Sequence, residues 1–170
     1  SFLAAMLGLA LVAWRGWPVL AIGAASLAAA LGYMGGRRPI AYTPFGEVVA
    51  FLFFGPVAVM GTDWLLTGST SAQTALAACC VGALTAAALA VNNHRDRTHD
   101  QLVGRRTLAV IRGAGVSRQL VHGLVVVPFF MAPVMAAAAR SLWPLLPLAL
   151  GVVAWRLLRD FDRCAPGVGY

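Results

Sequence analysis

The sequence predicts an all-α, polytopic membrane helical bundle, and three observations carry that prediction. Of 170 residues, 60% are hydrophobic and 11% charged, with a mean hydropathy of +0.79, which leaves too little polar surface to cover a soluble globule. The apolar residues gather into six stretches separated by polar or Gly/Pro-rich breaks. When those stretches are threaded alternately through a bilayer, the cationic residues fall almost entirely on one side.

The stretches are 2–14, 17–34, 47–66, 72–91, 118–139 and 142–158. The first and last fall short of the roughly 20 residues needed to cross hydrocarbon, but the last ends in arginines that can snorkel to the interface. Small residues dominate the second and fourth, as in Ala24-Ala25-Ser26-Leu27-Ala28-Ala29-Ala30 and Thr85-Ala86-Ala87-Ala88-Leu89-Ala90. They let helices approach closely where lipid supplies no hydrophobic drive. Pro56 in the third stretch and Pro128 and Pro133 in the fifth predict kinks, tolerated where neighbours satisfy the freed carbonyls. Cys79 and Cys80 are adjacent in an apolar run and Cys164 lies in a basic tail, so the cysteines form no disulfide framework.

The net charge of +7 comes from thirteen arginines without a lysine. Arg37, Arg38, Arg95, Arg97, Arg105, Arg106, Arg112, Arg118, Arg156, Arg159 and Arg163 fall on one side, and Arg15 and Arg140 on the other. The positive-inside rule therefore places the loops at 35–46, 92–117 and 159–170, with the N-terminus, on the cytoplasmic side. Trp14, Trp17, Trp64 and Trp143 sit near the opposite ends, as an interfacial aromatic belt would. The chain opens directly into an apolar run and stops in a Gly-rich loop, and so reads as a single membrane domain, 1–170, truncated at both ends.

Residues 92–110, NNHRDRTHDQLVGRRTLAV, concentrate the polar chemistry. If the entering helix continues at about 100° per residue, Asn92, Asp96, Asp100 and Asn93 fall at roughly 0°, 40°, 80° and 100°, within one sector. Carboxylates backed by amides and followed by arginines suit a hard cation together with a diphosphate. Mg²⁺ takes oxygen ligands at about 2.1 Å and is commonly shared between one or two carboxylates and substrate phosphates. Asp96 and Asp100 would carry the metal and the catalysis, and Asn92 and Asn93 would add a carbonyl or hold a metal-bound water. Arg105 and Arg106, with Arg95, would clamp phosphate oxygens. An ordinary basic loop, its aspartates paired with nearby arginines, produces the same residues, and D-x-x-x-D alone does not separate the two readings.

A second region, residues 32–47, lies on the same side. Gly35 and Gly36 permit tight backbone, Pro39 and Pro44 fix direction, and Tyr33, Tyr42 and Arg38 could meet an aromatic or carbocationic substrate. On these residues alone, a plain connecting turn with interfacial tyrosines is the better reading. His94, His99 and His122 form no metal site by spacing, and Asp63 reads as an interfacial loop charge.

Together the two regions resemble the UbiA-type intramembrane prenyltransferases, and within them the 1,4-dihydroxy-2-naphthoate polyprenyltransferases of menaquinone synthesis. The pattern N-N-x-R-D-x-x-x-D-x-x-x-G-[KR]-R-T-L-A-V runs from Asn92 to Val110 and is similar to that family's second aspartate-rich motif. G-Y-x-G-G-x-x-P-I-A-Y followed by F-G-E, from Gly32 to Glu47, resembles the loop between its fourth and fifth helices. The resemblance implies a nine-helix all-α fold, of which the six stretches are helices three to eight, with the first aspartate-rich motif just before Ser1. Departures are His94 for an aliphatic residue, Arg37 for proline, Thr43-Pro44 for Arg-Gly and Arg105 for lysine.

The implied chemistry is Mg²⁺-dependent prenyl transfer from a polyprenyl diphosphate to the naphthoate ring, with loss of its carboxylate, at the cytoplasmic face of a bacterial inner membrane. A water-poor bundle cavity would protect the allylic cation. The partners expected are these two substrates and the lipid bilayer, and no nucleic acid. Another aromatic acceptor (4-hydroxybenzoate, haem or a chlorophyll precursor) remains open within the superfamily. A six-span transporter would place ionisable groups near the membrane midplane, and the span centres carry none beyond the cysteine pair.

Overall fold

The computed structural model describes residues 2–37 and 39–164, and the described backbone is helical without a strand. Helices α1 (Phe2–Arg15) and α2 (Trp17–Met34) form a hairpin about Gly16, whose φ of 84° suits glycine. After a loop with a 3₁₀ turn at Ile40–Tyr42 come α3 (Gly46–Leu52), a π-helical stretch (Phe53–Met60) and α4 (Gly61–Thr67). These three run on as one apolar helix, Gly46–Thr67. Then follow α5 (Ala72–Arg95), α6 (Arg97–Leu102), α7 (Leu108–Ala139), a 3₁₀ stretch (Trp143–Leu150) and α8 (Gly151–Arg163).

Among the described residues, four helices are long and apolar enough to cross a membrane: Trp17–Met34, Gly46–Thr67, Ala72–Arg95 and Leu108–Ala139. The chain is a multi-pass membrane protein. The two stretches expected to be short are so. α1 has 14 residues, and the last stretch divides into 3₁₀ and α parts where Pro144 and Pro147 remove donors from an α-helical ladder.

Two expectations need correction. The fifth span begins at Leu108 rather than 118, because Thr107 starts it in extended conformation and Leu108-Ala109-Val110-Ile111 supplies a first apolar turn. Its break lies at Gly113 (φ 80°, ψ 177°), whereas Pro128 and Pro133 keep helical dihedrals. At Pro56 the expected distortion takes the form of the π-helical stretch, whose wider winding accommodates a residue without an N–H.

The central helix is α5, packed against α7 on one side and against α3 and the π stretch on the other. Its buried residues are almost all small: Ala78, Gly82, Ala83, Ala86, Ala87 and Ala90. At the tightest crossing, a Cβ on Gly82 would stand 2.6 Å from the Phe51 carbonyl oxygen and 3.2 Å from the Gly55 Cα, so only glycine fits. Ala90, Val121 and Phe161 form the buried apolar cluster joining α5, α7 and α8.

At the end away from the acidic motif, the Arg15 guanidinium donates to the carbonyls of Leu65 (2.6 Å) and Leu66 (2.7 Å), satisfying last-turn acceptors of α4. Asp63 accepts from Thr74 Oγ1 at 2.6 Å, clasping α4 to the start of α5. These polar ties hold the hairpins in register where the lipid-facing surface offers only weak apolar contacts.

Candidate active site

The acidic motif begins where α5 ends. Helical hydrogen bonding runs through the junction, from Asp96 N–H to Asn92 C=O (2.9 Å) and from Asp100 N–H to Asp96 C=O (2.8 Å). Asp96 itself, at φ −84° and ψ 2°, opens the backbone between α5 and α6. The single sector expected of a continuous helix is therefore split. Asn92 is exposed, Asn93 is half-buried and turned to α3, and Asp100 is buried.

Short α6 then closes in a Schellman motif. Gly104 adopts φ 75°, Arg105 N–H donates to Asp100 C=O at 2.9 Å, and Gly104 N–H reaches Gln101 C=O at 3.3 Å. This turn folds Arg105 back over Asp100, with Nη1 3.0 Å from Oδ1. The D-x-x-x-G-R spacing thus has a backbone reason: a left-handed residue four positions after the acid returns the next side chain to it.

The second motif meets the first here. Arg106 N–H donates to Tyr42 C=O at 2.8 Å, and the Arg105 guanidinium stacks over the Tyr42 ring at 4.3 Å from its centroid. Thr43 Oγ1 donates to Ile40 C=O at 2.7 Å and accepts from Phe45 N–H at 3.3 Å, fixing the loop as it enters α3. One turn deeper, Asn93 Nδ2 donates to Glu47 Oε1 at 2.8 Å across 46 residues of sequence. Loop and acidic motif are one structure.

Electrostatics differ between the two aspartates. Arg95 grips Asp96 with Nε at 2.8 Å and Nη2 at 3.2 Å. That hydrogen bond, aided by the charges of Arg95, His99 and Arg105, holds the Asp96 carboxyl below the usual carboxylate range. Asp100 is 1% exposed and has Arg105 as its cation, through Oδ1. The oxygen-only chemistry of two carboxylates suits a hard divalent cation. Among the described residues no three His, Cys, Asp or Glu side chains gather as metal ligands.

Below the loop, a cavity of about 460 Å³ opens between α2, α3 and α5, lined by Tyr33, Ala50, Phe53, Phe54, Thr85 and Leu89 among others. Larger apolar cavities lie against α1 and against α8, the latter reaching Val91 and Phe161. Tyr33 thus joins the cavity wall, Tyr42 the arginine clamp, and Arg38 lies outside the described residues.

Glu47 escaped the spacing argument, which assigned it no role. Its signal was a lone acid opening an apolar helix, a residue expected to be partnered and functional at a membrane edge. His94 is a buried packing residue. It is fully buried against Phe161, ring centroids 4.9 Å apart, with neither ring nitrogen hydrogen-bonded among the described residues.

The family model for the UbiA prenyltransferases matches residues 1–166. The chain is similar to the 1,4-dihydroxy-2-naphthoate octaprenyltransferase of Mycobacterium tuberculosis, 38% identical over 74% of this chain and 43% of that protein. The protein of the same name from Mycobacterium leprae is 34% identical, over 89% of this chain and 51% of the relative. The UbiA prenyltransferase domain-containing protein 1 of Gallus gallus is 35% identical over 71% and 36%. The chain spans about half the length of the bacterial relatives it matches. No solved structure matches it. A motif pair joined in space, on a helical bundle matched along nearly all of its length, settles the family: the chain belongs to the UbiA prenyltransferases.

Proposed function

We propose that the complete protein transfers a polyprenyl group from a polyprenyl diphosphate to 1,4-dihydroxy-2-naphthoate, in the menaquinone pathway. The observation that carries this reading is the meeting of Arg105 and Tyr42, which brings an arginine clamp, two carboxylates and an apolar cavity to one end of the bundle. The names of the bacterial relatives supply the acceptor.

Asp96 and Asp100 would hold Mg²⁺, with Asn92 and Asn93 beside them, and substrate diphosphate oxygens would share the ion. The ion supplies charge neutralisation for the departing diphosphate. Arg105 and Arg106 grip phosphate oxygens, and Arg95 exchanges its grip on Asp96 for the incoming anion. The prenyl tail occupies the cavity between α2, α3 and α5, whose phenylalanine and alanine walls exclude water from the allylic carbon. In this reading the acid-bearing end faces the cytoplasm of a bacterial inner membrane, following the eleven arginines on that side.

The test is prenyl transfer by the complete protein in membranes, with labelled polyprenyl diphosphate and either dihydroxynaphthoate or 4-hydroxybenzoate. Labelled demethylmenaquinone that disappears with EDTA and returns with Mg²⁺ is expected, as is its loss in Asp96→Ala and Asp100→Ala. Retained transfer in those variants would overturn the metal assignment. Product from 4-hydroxybenzoate alone would replace the acceptor.

A further inference from the structure

The buried carboxyl of Glu47 is a polar group in this region that the reading above leaves without a role. Glu47 is 5% exposed. Asn93 holds its Oε1 at 2.8 Å, while Oε2 is buried without a hydrogen-bond partner among the described residues. Leaving such an acceptor bare disfavours the folded state, so its retention needs a partner that arrives from outside.

The position of the pair narrows that partner. Ala50 and Leu89 line the cavity, and they stand three and four residues from Glu47 and Asn93, so each is one helical turn away on a shared face. Tyr33, in the same wall, brings its hydroxyl within 3.8 Å of where a Cβ on Gly46 would sit. Asp96 lies three residues beyond Asn93 in the other direction. The Glu47–Asn93 pair therefore stands between the apolar cavity and the acidic motif. That is where the ring must lie to meet the first carbon of a prenyl group, with its tail in the cavity and its diphosphate at the aspartates.

We propose that Glu47, oriented through Asn93, accepts a hydrogen bond from a ring hydroxyl of the aromatic acceptor. The inference rests on the prenyl-transfer reading and adds to it the subsite that recognises a hydroxylated ring. The bond orients the ring and pushes electron density towards the carbon that attacks. Asn93, with Nδ2 spent on Glu47, is a positioning residue in this scheme.

The complete protein, assayed with naphthoate acceptor and prenyl diphosphate varied separately, tests it through Glu47→Gln and Glu47→Asp. In Glu47→Gln the acceptor KM rises roughly 10- to 100-fold, as befits loss of a hydrogen bond to a charged group, while the KM for prenyl diphosphate stays unchanged. Mono-methyl ethers of the acceptor sharpen the reading. The wild type discriminates against at least one of them, Glu47→Gln no longer does, and Glu47→Asp falls between. Unaltered acceptor KM and discrimination in Glu47→Gln would overturn the proposal. So would parallel loss of folded protein or prenyl-diphosphate binding in both variants, which would make Glu47 a packing residue. A wild type that forms no naphthoate product overturns the parent reading and this subsite with it, an outcome distinct from product formation indifferent to Glu47.

Discussion

Asp96 and Asp100 are four residues apart and sit in different surroundings. Asp96 is partly exposed and chelated by its neighbour Arg95, and Asp100 is buried beneath Arg105. The Arg95 hydrogen bond favours the ionised form of Asp96, so its folded carboxyl titrates below the unfolded value near 3.9. Stability linked to this group is present above the unfolded value and is lost as pH falls through the lower folded one. In Arg95→Gln that hold is gone and proton uptake starts at higher pH. The acidic limb of the pH–activity profile of the complete protein should move upward, and an unmoved limb would mean that Asp96 does not govern it. Both acids and all of the arginines around them were readable as a cluster from spacing. Their pairing was not, because periodicity assigns a residue to a face and cannot name the side chain opposite it.

At the scale of elements, α6 and its glycine decide the site. Gly104 at φ 75° is needed because an L side chain there meets the following carbonyl, a cost of roughly 1–2 kcal/mol. Gly104→Ala should lower the melting temperature of the purified protein and weaken prenyl-diphosphate binding, since the Schellman turn delivers Arg105 to Asp100. Gly104→Asn should do less harm, because asparagine visits the left-handed region more readily. Equal effects of both changes would remove the turn from the argument. The helices themselves were legible: apolar runs located α2, the third span and α5 to within a few residues. The start of α7 at Leu108 was hidden because Arg112 and Arg118 interrupt its hydropathy, and the break at Gly113 because one left-handed residue leaves no periodic trace. Glu47 and Asn93 are 46 residues apart, and only the crossing of α3 with α5 makes them partners.

For the molecule as a whole, the polar ends of the bundle are unlike. One carries the two motifs, with the cavity between α2, α3 and α5 beneath them. The other is clasped by Arg15 on the end of α4 and by Asp63 on Thr74. Gly55 and Gly82 let α5 and the π stretch approach closely, while an apolar cavity remains beside α2, which buries none of its residues. Under the proposed function, a prenyl diphosphate made in the cytoplasm would reach the acids only if the arginine-rich end faced that compartment, so orientation tests that proposal. With every cysteine of the complete protein, Cys79, Cys80 and Cys164 among them, replaced by serine, single cysteines at exposed His99 and exposed Ser69 report the two ends. A membrane-impermeant thiol reagent added to intact cells should label Ser69→Cys and spare His99→Cys, and inverted vesicles should reverse the pattern. Labelling of His99→Cys in intact cells would put the acids outside, where no cytoplasmic diphosphate could reach them, and the prenyl-transfer reading would lose its substrate.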